Sequence, residues 1–157
     1  MIVSRHLFAS ALMVSALLSS AGLAAAQQSG TAVEAKAMLE RAATALKSNE
    51  AKALAEFNDK SNKDFHDRDL YVFCVNMADG KFTAHPNSAL MGTDARVMKL
   101  KDDPFGQRVY DTIKNSSPGS VVTVQYSYPR PGTTEPVPKE SFATRVGDQG
   151  RGVGYYK

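Results

Sequence analysis

The chain has 157 residues, 43% of them hydrophobic, with 19 lysines and arginines against 16 aspartates and glutamates and a formal net charge of +3. The charges are mixed along the chain. No lysine/arginine block interleaved with aromatics occurs, which excludes the usual electrostatic footprint of a nucleic-acid binder. The single cysteine, Cys74, excludes an intramolecular disulfide framework. It sits in an apolar run, where a buried inert thiol is expected rather than a nucleophile.

Residues 1–26 read as a secretory signal peptide. Arg5 and His6 form a short basic start, Leu7–Leu23 an apolar stretch, and Ala24, Ala25 and Ala26 supply small residues near a cleavage site. An uncleaved membrane anchor is the alternative. Either way, residues 27–157 are expected as one domain outside the cytoplasm, periplasmic or secreted. No second stretch approaches the roughly 20 apolar residues that cross a bilayer.

Thr31–Asn58 reads as one long helix. Thr31-Ala32-Val33-Glu34 fits a capping box. Leu39, Ala43, Leu46, Ala53 and Phe57 fall on one face, with Ser48-Asn49 a point where the helix could kink. That face predicts packing on a sheet or dimerisation. Asp59–Arg68 is a polar connection, read as a solvated loop. In it His66 stands among Asp64, Asp67 and Asp69, at a spacing that matches no common metal site.

Leu70–Met77 has the length and composition of a strand. Asp79-Gly80 predicts a type I′ hairpin turn. Lys81–Ala84 returns, and His85-Pro86 ends that strand because proline lacks a ladder donor. Asp103-Pro104 predicts an N-cap with proline at the first helical position. An amphipathic helix follows through Phe105, Val109 and Ile113 to Asn115. Val121–Tyr128 alternates, placing Val122, Val124, Tyr126 and Tyr128 on one face. The prolines from Pro129 to Pro138 predict a long, stiff hairpin loop. Lys139–Val146 and Arg151–Tyr156 are the last strands, joined by Gly147–Gly150. Strands joined by tight turns, with helices between them, give an α+β fold built on an antiparallel sheet.

No Gly-x-Ser-x-Gly elbow, His-Glu-x-x-His, phosphate loop or Cys-x-x-Cys-His occurs, so no enzyme is expected. A binding pocket is better supported, because such sites combine apolar walls with a few convergent polar groups. Tyr126 and Tyr128 offer rings and hydroxyls on one strand face. Lys139 and Arg145 offer positive charge on the next strand, and arginine grips a carboxylate bidentately. His85 stands where the hairpin strand stops, with Phe82 three residues before it.

The order of strand, Asp79-Gly80, strand, His85-Pro86 and Leu90-Met91-Gly92 resembles the core hairpin of single Cache domains, small extracytoplasmic sensor modules. The likeness continues through Asp103-Pro104-Phe105-Gly106, Gly119–Val122, Tyr126-x-Tyr128-Pro129, Pro138–Phe142 and Val153-Gly154-Tyr155. It covers most of residues 27–157. The resemblance implies a PAS-like Cache fold, with a long N-terminal helix packed on a curved antiparallel sheet of five to six strands. It implies pocket roles for His85, Tyr126, Tyr128 and Lys139; Arg145 and Phe82 join them from strand geometry.

The resemblance further implies a small-molecule ligand, preferably a carboxylate such as a short organic acid or an amino acid, and no cofactor. It implies a possible homodimer through the N-terminal helix. With no span after the domain, a separate membrane receptor or kinase is the expected signalling partner. The competing readings are a periplasmic interaction protein that uses this scaffold without a ligand, and a hydrolase. The latter would need a serine or carboxylate beside His85 or His66.

Overall fold

A computed structural model describes residues 29–157; the expected signal peptide lies outside them. Helix α1 (Ala32–Ser48) opens with the capping box. Glu34 N–H donates to Thr31 Oγ1 at 3.3 Å, and Thr31 N–H donates to the Glu34 carboxylate at 2.8 Å. The long helix expected from sequence is divided at Asn49, which takes extended backbone at φ −158°. Asn49 N–H still bonds Ala45 O, while its side chain accepts the Lys52 N–H at 3.0 Å. It therefore ends α1 and caps α2 (Glu50–Asn58), as asparagines that compete for backbone donors do. The buried stripe is Ala35, Met38, Leu39, Ala42 and Leu46, then Ala53 and Phe57. Ala42 fills the core where Ala43 was expected; Ala43 is half-buried.

The sheet comprises β1 (His66–Asp67), β2 (Leu70–Asn76), β3 (Phe82–Ala84), β4 (Val122–Pro129), β5 (Pro136–Val146) and β6 (Gln149–Tyr156). The order is β1-β2-β6-β5-β4, with β3 beside β2 and every pairing antiparallel. Two short 3-10 turns, Ser88–Leu90 and Ala95–Val97, precede α3 (Phe105–Lys114). This is the expected α+β architecture with six strands.

Four local expectations need correction. Asp79-Gly80 is not a type I′ turn, since Gly80 alone in the connection has positive φ, at 78°. The Asn76 side chain accepts the Ala78 N–H at 2.7 Å, ends β2 early and widens the turn to Met77–Gly80. Asp103 does not cap α3: its carboxylate accepts Arg108 bidentately at 2.6 and 3.0 Å, leaving Pro104 at the cap position. The proline-rich loop is shorter than expected, because Pro136 and Pro138 enter β5 beyond its last pair with β6, Lys139–Tyr156, where their missing donors break no central ladder. His66 is not solvated loop. It is buried in β1, its Nε2 2.6 Å from Phe57 O.

The sheet has two covered faces. Leu70, Val72 and Cys74 of β2 turn toward α1 and α2, and Tyr71, Phe73 and Val75 turn the other way. Cys74 is buried, and burial pushes its thiol up to about 12. On β6, Gly150, Gly152 and Gly154 alternate on the Tyr71 face. A Cβ on Gly152 would strike the Phe73 ring, and one on Gly154 would strike the Lys139 stem and Ser141 Oγ. Bare backbone thus lets large side chains lie flat on the sheet at the site described next.

Candidate ligand-binding site

The Tyr71 face is covered by α3 and by the segment between β3 and α3. That segment is held by backbone bonds. Phe82 N–H donates to Thr93 O at 3.0 Å, Ala95 N–H to Gly80 O at 2.8 Å, and Gly106 N–H to Met98 O at 3.0 Å. Gly106 is seated so closely that a Cβ there would run into the Ala95 carbonyl. Beneath lies an apolar cavity of about 40 Å³, walled by Phe73, Val75, Phe82 and Val109 among others. Tyr71, His85, Met98, Phe105 and Tyr128 border both this cavity and a surface groove of about 1170 Å³.

Lys139 is 1% exposed. Its Nζ donates to Tyr71 Oη at 2.9 Å and Tyr156 Oη at 3.3 Å. The rings of Tyr71, Tyr156 and Tyr128 stand 4.1, 4.4 and 5.6 Å away, within cation–π range. Burial pulls the Lys139 pKa down to about 7, opposed by the charge of Asp69 and reinforced by Arg130. Asp69 is itself occupied, accepting Arg130 Nη1 at 2.5 Å and Gly30 N–H at 2.7 Å. None of the ion pairs among the described residues includes Lys139. The ammonium thus has hydroxyls and π faces around it but no carboxylate.

His85 is 8% exposed. Its Nδ1 accepts the Asn87 N–H at 2.9 Å, which assigns the proton of the neutral ring to Nε2. The ring meets Tyr71 and Phe82 edge-on at 5.4 and 5.3 Å. Burial, and then the charge of Lys139, holds the imidazole down to about 4. The unfolded chain therefore binds this proton below about pH 6.5 while the folded one resists it down to about pH 4. Stability rises with pH across that window and is lost on acidification, by about 3 kcal/mol for this group. Denaturant titrations of wild type and His85→Gln between pH 4 and 7 check this: the wild-type slope should be the steeper.

Tyr126 Oη bonds Ser141 Oγ at 2.8 Å, and its ring stacks on Phe105 at 5.3 Å and 5°. Burial pushes its phenol up to about 12. Tyr128 meets Phe105 edge-on at 5.7 Å. The structure therefore gathers His85, Phe82, Tyr126, Tyr128 and Lys139, and it leaves Arg145 apart. Lys139 borders neither the cavity nor the groove and reaches them through Tyr71 and Tyr128, whereas Arg145 pairs with Gly150 at the opposite end of β5, roughly 20 Å along the strand, and has no such link. Two residues beside Lys139, Tyr71 and Tyr156, were read in the sequence only as strand residues. The period-2 alternation of β2, which puts Tyr71 with Phe73 and Val75, carries the signal for the first.

The groove's charged lining is Lys60, Lys63, Arg68, Lys99, Arg130 and one acid, Asp94, which is paired with Arg96 at 2.7 Å. Among the described residues, no group of three or more His, Cys, Asp or Glu side chains is placed to hold a metal ion. No described helix is long and apolar enough to cross a membrane.

A helical layer on one face of an open antiparallel sheet, with a small aromatic-walled cavity on the other, is the architecture of the PAS-like Cache fold. Solved structures agree. A methyl-accepting chemotaxis protein from Vibrio parahaemolyticus aligns with TM-score 0.62 at 20% identity, over 79% of this chain and 86% of that one. A periplasmic sensor domain of a chemotaxis protein aligns at 0.57 and 23%, over 76% and 85%. A Cache chemosensory domain described as recognising carboxylic acid aligns at 0.57 and 21%, over 76% and 83%. At these identities the likeness is one of fold. No family model and no curated protein matches the chain.

Proposed function

We propose that this domain is an extracytoplasmic sensor module that binds a short monocarboxylate with an apolar tail, without turning it over. The observation that carries the reading is Lys139: a buried ammonium with no carboxylate of its own, separated from an apolar cavity only by Tyr71 and Tyr128, which wall that cavity and face the ammonium. A carboxylate would take the remaining Lys139 N–H and the Nε2–H of His85. The tail would fill the cavity, whose 40 Å³ has room for about three water-sized groups. An amino acid fits less well, since its ammonium would find only Asp94, already held by Arg96. The fold neighbour that recognises carboxylic acid supports the ligand class, and the neighbour from a periplasm supports the location, as does the apolar stretch within residues 1–26.

Tyr71 and Tyr128 line the cavity and also contact the ammonium. Moving them aside is the step through which binding would bias the fold, and a separate membrane partner would read that bias. A homodimer through α1 would have to form on a charged surface, because its outward side carries Lys36, Glu40, Arg41 and Lys47.

Thermal-shift and calorimetric titrations with propionate, butyrate, alanine and propionamide test the reading. The two monocarboxylates should raise Tm; alanine and the uncharged amide should not. Affinity should hold steady below about pH 7 and fall as pH rises through it, by up to tenfold per pH unit, because only protonated Lys139 pairs with the ligand. A cooperative melt that none of these compounds moves would hand the domain to the ligand-free interaction reading.

A further inference from the structure

On the opposite face of the sheet, Arg151 of β6 is fully buried, at 0% exposure. It shares its side of the strand with Val153, which packs under α1 and α2. Its register partners are Cys74 on β2 and Thr144 on β5, so the three side chains form a row across the sheet. The Nε, Nη1 and Nη2 atoms of Arg151 and the hydroxyl of Thr144 have no hydrogen-bond partner in the protein.

A guanidinium stays charged at any accessible pH, and a buried charge without a counter-charge is strongly destabilising. The side chains that α1 and α2 bury against the sheet are all apolar and supply no acceptor. The neighbouring Cys74 thiol is held protonated, so it brings no charge. The acid nearest in sequence to the helix junction, Glu50, is exposed and accepts Gln149 Nε2 at 3.0 Å. Water could satisfy the donors but would leave the charge uncompensated.

We infer that Arg151 and Thr144 form a buried site for a small inorganic anion of halide size, between the sheet and the α1–α2 layer. The surroundings are donors of hydrogen bonds: three guanidinium nitrogens, a hydroxyl and a thiol. A spherical monoanion accepts from such a set without needing directed acceptor geometry. It would neutralise the one permanent charge in the α1–α2 core and tie β5 to β6 beneath the helices. The inference is independent of the ligand proposal, because the two sites lie on opposite faces of the sheet.

The test is thermal melting of the domain while sodium methanesulfonate is replaced stepwise by chloride or bromide at constant ionic strength. Wild type should show a saturable rise in Tm of several degrees. Arg151→Met, which removes the charge and keeps an apolar stem, should fold and lose the response. Identical melts of wild type in all three salts would overturn the inference. So would a response undiminished in folded Arg151→Met. If that variant does not fold, bromide-soaked crystals of the wild type decide: an anomalous peak within hydrogen-bonding distance of the guanidinium and Thr144 Oγ1 supports the site, and its absence overturns it. A Glu50 carboxylate found on Arg151 in those crystals would likewise overturn it, by assigning the counter-charge to the chain itself.

Discussion

Replacing Lys139 with methionine should lower affinity for short monocarboxylates by about 100-fold or more while the domain stays folded. Methionine keeps an unbranched stem that can lie against Gly154, where β6 has no side chain. What it removes is the ammonium, and truncating one partner of a buried charge pair costs about 2–5 kcal/mol. Calorimetric titration with propionate reads the effect, and an unchanged Kd would remove Lys139 from the site. The same variant should melt higher than wild type at pH 6. Burial holds the folded-state pKa of Lys139 near 7, below its ordinary 10.5, so the folded protein bears the full penalty of the buried charge below about pH 7. That penalty fades as pH rises toward 10.5, and the gap between the two proteins should close with it.

The largest loss of stability from a single truncation is expected at Phe57→Ala, about 3–5 kcal/mol by urea denaturation. Phe57 is 0% exposed and meets Phe65 edge-on, with centroids 4.6 Å apart. Its carbonyl also lies 2.6 Å from His66 Nε2. The ring therefore closes the C-terminal end of α2 onto β1, and its removal leaves a void lined by an aromatic and the helix stripe. Because this cluster packs on the α1–α2 face, propionate affinity should change far less than stability. A large loss of affinity at full stability would contradict the separation of the two faces.

The fold was legible in the sequence wherever periodicity and turn chemistry agreed. The capping box at Thr31, the alternation of Val122 to Tyr128 and the stop at His85-Pro86 all translate directly into elements. Three of the errors share one physical character: a short polar side chain chose a different partner from the one its spacing suggested. Asn49 turned from a kink into a cap, Asn76 displaced the tight turn, and Asp103 went to Arg108 instead of the helix end. The residues that the structure brings together at the candidate site were legible where an aromatic or a cation lay on a strand face. Strand distance was not, so Arg145 was placed with Lys139 although β5 carries it to the far end of the sheet. The tyrosines around Lys139 come from three different strands, β2, β4 and β6, and their convergence depends on a strand order that local spacing does not encode.

The distribution of aromatic rings has a spectroscopic consequence. The chain contains no tryptophan and six tyrosines. Tyr71, Tyr110, Tyr126 and Tyr128 border the cavity, Tyr156 holds the Lys139 ammonium, and Tyr155 alone packs on the other face against Phe142. Intrinsic emission from this protein is therefore weighted toward the cavity face of the sheet. Movement of the rings that wall the cavity can be followed from the unlabelled chain, with Tyr155 on the opposite side of the sheet adding only a minor background.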